Sequence, residues 1–141
     1  MKRLLILALG LALSLSTVTG ADTTSSFTHD FPQPDHAEVI AMRSQDPADG
    51  PKANLDAKQA RKLADFVRAQ TWIGPAGSCD KPQYLLRFYA GGKLIASDSI
   101  CFYCGCFAPL NTDHDPESFD TKTPQAQAMA AYLAKLFPVG K

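Results

Sequence analysis

The strongest constraint on this chain is where its four cysteines fall: Cys79, Cys101, Cys104 and Cys106, in the pattern C-x21-C-x2-C-x-C. They flank the clearest hairpin pattern in the sequence. Gln83 to Tyr89 and Lys93 to Cys101 both alternate, and Ala90-Gly91-Gly92 between them accepts the positive φ that a tight turn demands. Cys79 precedes the first strand and Cys101 ends the second. Antiparallel pairing therefore brings the cysteines to one end of the hairpin before any bond is assumed.

Four cysteines allow three pairings. Joining Cys104 to Cys106 across one residue would distort the backbone away from ordinary disulfide geometry. Two pairings stay open: Cys79–Cys104 with Cys101–Cys106, and Cys79–Cys106 with Cys101–Cys104. Either would close a loop of about 25 residues and remove roughly 3 kcal/mol of unfolded-state freedom in the chain-entropy model. Structural disulfides are the expectation in an oxidising compartment. Metal binding is the first alternative. Soft thiolates at Cys101, Cys104 and Cys106, with Cys79 as a fourth donor and His114 or His36 assisting, suit copper as Cu(I) or zinc as Zn(II). Thiol–disulfide exchange is the further alternative, because Cys101-Phe102-Tyr103-Cys104 has the C-x-x-C spacing. Those catalysts acidify the first thiol at a helix N-terminus, and Gly105 and Pro109 oppose a helix here.

The compartment is read from residue 1. Met1, Lys2 and Arg3 form a basic start, and Leu4 to Leu15 is apolar apart from Gly10 and Ser14. Val18 and Gly20 then provide small residues for cleavage before Ala21. This is the pattern of a secretory signal peptide, and the apolar run is shorter than the ~20 residues of a spanning helix. A periplasmic or secreted location is expected, with no stable membrane anchor once the signal is cleaved. Cleavage removes Lys2 and Arg3 and no acid, leaving 14 acidic residues against a basic set reduced by two. So balanced a charge gives no footprint for nucleic acid or anionic lipid.

Residues 21–35 are rich in Thr, Ser, Asp and Pro and read as a flexible leader that includes His29 and Asp30. Residues 36–141 read as a single α+β domain. Ala37 to Met42 suits a strand, and Gln45 to Ala53 reads as a loop by its turn chemistry. Asp56 to Gln70 reads as a helix, with Asp56 and Gln59 spaced as a capping box. Trp72 and Ile73 precede a Gly74-Pro75 break. Phe107 to Lys122 reads as a long polar loop. Thr123 and Pro124 then open a last helix, which Pro138 stops. The expected order is β-α-β-β-α, a small antiparallel sheet with both helices packed on one face.

Other constellations carry little. Asn111-x-Asp113-x-Asp115 starts like a calcium loop, but Pro116 replaces the needed Gly and Lys122 the closing Glu. Ser78 has no histidine beside it in sequence, and no phosphate-binding glycine loop is present.

Cys79-x-x-Pro82, the apolar hairpin and Ile100-Cys101-Phe102-x-Cys104 together resemble a loosely defined group of small, exported, uncharacterised bacterial proteins. The resemblance spans about a fifth of the chain after Ala21 and implies a hairpin with cysteines at its mouth. It implies no catalytic residue, and Cys106 goes beyond the pattern. Taken together, the sequence leads us to expect an exported, disulfide-stabilised, non-enzymatic binding protein of inhibitor or immunity type. It would need no cofactor and would contact another protein through Phe102, Tyr103 and Phe107 on the stapled turn.

Overall fold

A computed structural model describes residues 32–44, 46–77, 79, 81–110 and 115–138. The signal segment, most of the leader with His29 and Asp30, Ser78, and Asn111, Asp113 and His114 lie outside the described residues.

The described chain is a mixed fold of helices and one open antiparallel sheet. Its strands are β1 (His36–Ala41), β2 (Lys52–Leu55), β3 (Trp72–Pro75), β4 (Tyr84–Ala90), β5 (Lys93–Cys101), β6 (Cys106–Pro109) and β7 (Glu117–Phe119). The helices are α1 (Ala57–Arg68) and α2 (Pro124–Leu136). The sheet has seven strands in the order β2-β1-β4-β5-β6-β7-β3. It is larger than the sequence suggested, because β2, β3, β6 and β7 lie in stretches that read as loops or breaks. Each is only three or four residues long, too short to show an alternation. They form because neighbouring strands offer them a ladder. Pro75 is accommodated in β3 because that strand is the sheet edge.

Side-chain alternation divides the sheet into two faces. On one face Ala37 and Val39 of β1, Leu86 and Phe88 of β4, Ala96 and Ile100 of β5, Phe107 of β6 and Phe119 of β7 are all buried. They form a single core with Ala60, Leu63, Ala64 and Val67 of α1 and Ala126, Met129 and Leu133 of α2. Leu94 is two residues before Ala96 and by alternation belongs on this face, yet it is exposed. A register irregularity at Phe88/Tyr89 pairs it with Tyr89 and carries it past the core.

Both helices begin as their sequences dictate. Asp56 Oδ1 accepts the Gln59 N–H at 2.8 Å, and Gln59 Oε1 accepts the Asp56 N–H at 3.1 Å, which completes the capping box. Thr123 Oγ1 accepts the Ala126 N–H at 3.2 Å. The end of the leader is docked: Pro34 is buried, and Asp35 Oδ2 accepts the Gly91 N–H of the β4–β5 turn at 2.7 Å.

One core residue is out of keeping with its neighbours. Asp98 shares the apolar face, opposite Leu86 and Pro109, and is 1% exposed. Neither carboxylate oxygen has a hydrogen-bond partner among the described residues. Burial raises its pKa from 3.8 to about 7, because an unpaired charge in an apolar medium is strongly disfavoured. The folded state therefore keeps this proton over a range in which the unfolded chain releases it. Stability is fully present below 3.8, falls as pH rises towards about 7, and is level above that. About three pKa steps correspond to a loss on the order of 4 kcal/mol. Urea unfolding from pH 4 to 8 should show this fall, and Asp98→Asn should remove most of it. Glu38, held below its ordinary value despite desolvation by Lys52, Tyr89 and Arg87, acts with the opposite sign in both proteins and cancels in the comparison.

Candidate functional site

Because Ile100 points into the core, Cys101 must point to the opposite face of β5. It pairs with Cys106 of β6, so both thiols lie on the face away from the helices, and both residues are buried. The chain between α1 and β4 approaches the same place. Ala76 donates its N–H to Pro116 at 2.8 Å, Gly77 C=O lies 3.9 Å from Cys106 Sγ, and Cys79 follows two residues later.

The turn Phe102–Gly105 brings in the last cysteine. Gly105 has φ +63°, and a Cβ added there would stand 2.6 Å from the Phe119 carbonyl oxygen. Phe119 also donates its N–H to Gly105 C=O at 2.8 Å. Only glycine satisfies both the positive φ and this contact with β7. The other end of the turn is held by Gln83, whose Oε1 accepts the Phe102 N–H at 2.7 Å. Folded this way, the turn aims the Cys104 N–H at Cys101 Sγ, 3.4 Å away.

The sulfurs of Cys79, Cys101 and Cys104 all lie within 4.8 Å of one another, and Cys79 and Cys104 approach to 3.2 Å. No two sulfurs stand at bonding distance among the described residues. A disulfide requires about 2.05 Å. An ion bound at about 2.3 Å from each thiolate in tetrahedral geometry sets its sulfurs roughly 3.8 Å apart, and the Cys79–Cys104 separation of 3.2 Å lies between that spacing and the disulfide length.

The thiols influence one another strongly. Burial pushes Cys101 up, but it is outweighed by hydrogen bonds from the Cys104 thiol, the Cys104 N–H, the Cys79 thiol and the Tyr103 N–H. Cys101 ends below the ordinary cysteine value. Cys104 is driven well above it by desolvation of its sulfur, then by its thiol contacts and charge repulsion with Cys101 and Cys79. Cys106 is pushed up to about 11, by burial first and then by Cys79. The arrangement stabilises one thiolate with its neighbours' protons and with backbone N–H groups. A soft cation can take over the charge that those thiol protons now balance.

The three aromatics expected to form a contact surface have different fates. Phe107 is fully buried against Trp72, with ring centroids 5.6 Å apart. Phe102 is half-buried, edge-on to Phe119 at 5.7 Å. Tyr103 alone is exposed, at 95%. His36, the one histidine among the described residues, packs at a tilt against Tyr89 and is not in the cysteine cluster.

Sequence reasoning located the cysteines but missed what holds them. It looked for a helix N-terminus as the acidifying device, whereas the structure uses N–H groups of a tight turn. The available signal was a glycine directly after C-x-x-C. Compared with known proteins, the chain matches no family model, no curated protein and no solved structure. Among the described residues no helix is long and apolar enough to cross a membrane.

Gly105→Ala should cost about 1–3 kcal/mol in urea unfolding, through the strained φ and the backbone clash. It should also raise the Cys101 thiol pKa, read from the pH dependence of alkylation, because the Cys104 N–H is turned off its target.

Proposed function

We propose that this chain binds a soft, thiophilic metal ion, Cu(I) or Zn(II), on the thiolates of Cys79, Cys101 and Cys104. The observation that carries the proposal is the convergence of those three sulfurs within 4.8 Å, on a turn whose backbone N–H donates to one of them. Unlike a lone reactive cysteine, such a set offers several soft donors at once, the chemistry that selects Cu(I) and Zn(II) over oxygen-seeking cations. The N–H bonds serve as outer-shell support, fixing the thiolate's orientation and spreading its charge. Cys106, whose thiol also meets that of Cys79, is the fourth donor a tetrahedral ion would recruit. Three thiolates suffice for trigonal Cu(I). The chain would then be an exported metal-handling protein, and its cysteines would be ligands before they were staples.

The reading is tested on protein purified under reducing conditions. Reduced protein should show four titratable thiols and bind one equivalent of Zn(II) or Cu(I), releasing protons as it does so. Cys101→Ser should weaken binding by more than the roughly 10–100-fold typical of an outer-shell change. Cys106→Ser distinguishes the two ions, costing Zn(II) affinity while sparing Cu(I). Four reactive thiols with no metal bound would overturn the proposal.

A further inference from the structure

The four thiols are unequal in a way that bears on how a bound ion would leave. Cys101 and Cys106 are buried, whereas Cys104 is exposed and Cys79 half-exposed. The two accessible residues also hold the close sulfur pair, 3.2 Å apart. One sits in the segment before β4 and the other in the β5–β6 turn, so closing the remaining gap asks nothing of the ladder. The buried pair is placed differently. Leu110 donates its N–H to Ser97 C=O at 2.8 Å, and this fixes the alternation along β5 and β6. Counting from there, Cys101 and Cys106 face each other at a hydrogen-bonded position, where opposed side chains stand further apart than at the alternate positions.

We infer that the cluster is a redox-gated metal site, in which oxidation joins Cys79 to Cys104 and expels the ion. The inference rests on the metal-binding reading above. The oxidant is a low-molecular-weight disulfide, a reagent class that exchanges with protein thiols. The Cys104 sulfur, which gave up its proton on binding the ion, attacks one sulfur of that disulfide, forms a mixed disulfide and displaces one small thiolate. The Cys79 thiolate then attacks the Cys104 sulfur, forms the Cys79–Cys104 bond and displaces the second. Two electrons pass from the cysteine pair to the oxidant, and the two departing thiolates are protonated from solvent, which received the cysteine protons when the ion bound. The ion keeps its charge throughout. It loses two of its thiolate donors in one event, and of the four cysteines only the buried Cys101 and Cys106 remain as thiols.

The test uses Zn(II), which undergoes no redox chemistry of its own. Reduced wild-type protein is loaded with one equivalent of Zn(II), freed of excess, and titrated with glutathione disulfide. Released zinc is read with a chromogenic chelator, and bonds are mapped by peptide mass spectrometry. One zinc should appear per disulfide formed, the first bond should be Cys79–Cys104, and excess dithiol should restore binding. Cys106→Ser should behave as wild type in the identity of that bond. Zinc retained after the Cys79–Cys104 bond has formed would overturn the gate and leave metal binding standing. So would a first bond between any other pair. Reduced protein that takes up no zinc or Cu(I) would overturn the metal reading and the gate together.

Discussion

The alternation of side chains along β5 is the constraint on which the structure depends. Ile100 and Cys101 are adjacent in sequence and must face opposite ways. Ile100 closes the core beneath the helices, so Cys101 faces the side where Cys106, Cys79 and Cys104 converge. A slip of one residue would drive the thiol into the core and expose the apolar set. Register is therefore fixed by hydrophobic burial, and the position of the thiol site is a consequence. The packing residues and the sulfur-bearing residues occupy the same strand without competing for the same space.

What was readable in the sequence follows the same division. The β4–β5 hairpin announced itself by alternation over seven and nine residues and by Gly91-Gly92. Asp56 with Gln59, and Thr123 with Pro124, marked helix starts because capping is local chemistry between near neighbours. The short strands were not readable. Cys106–Pro109 and Glu117–Phe119 look like polar loop because each is too short to show an alternation, and the partner that holds β7 at its outer side, β3, is distant in the chain. Phe107 and Phe119, isolated aromatics amid polar residues, turn out to be core. Alternation along β5 puts Asp98 on the same face as Ala96 and Ile100. Alternation alone does not show that the residue is buried, which depends on the strands and helices packed around it.

Two groups of titratable residues are buried on the two faces, with different outcomes. Asp98 is isolated and keeps its proton, because nothing in the apolar core supports its charge. Cys101 is also buried, yet it is held below its ordinary value because thiols and turn N–H groups point at it. Burial alone would have pushed both groups towards their neutral forms. The difference lies in hydrogen-bond donors. The core has none to offer, and the turn locked by Gly105 supplies several.

That turn is also held in place without help from the sulfurs. Its anchors are backbone contacts with β7 and the Gln83 side chain, none of which involves a sulfur. The buried Cys101–Cys106 pair belongs to the ladder, whereas Cys79 and Cys104 belong to the segments that cap it. A change at the two accessible sulfurs can be absorbed by loop and turn while the ladder keeps its register. The same four residues can therefore differ in bonding state on an unchanged sheet. Their clustering is a property of the backbone, and their oxidation state is set by whatever ligand or oxidant they meet.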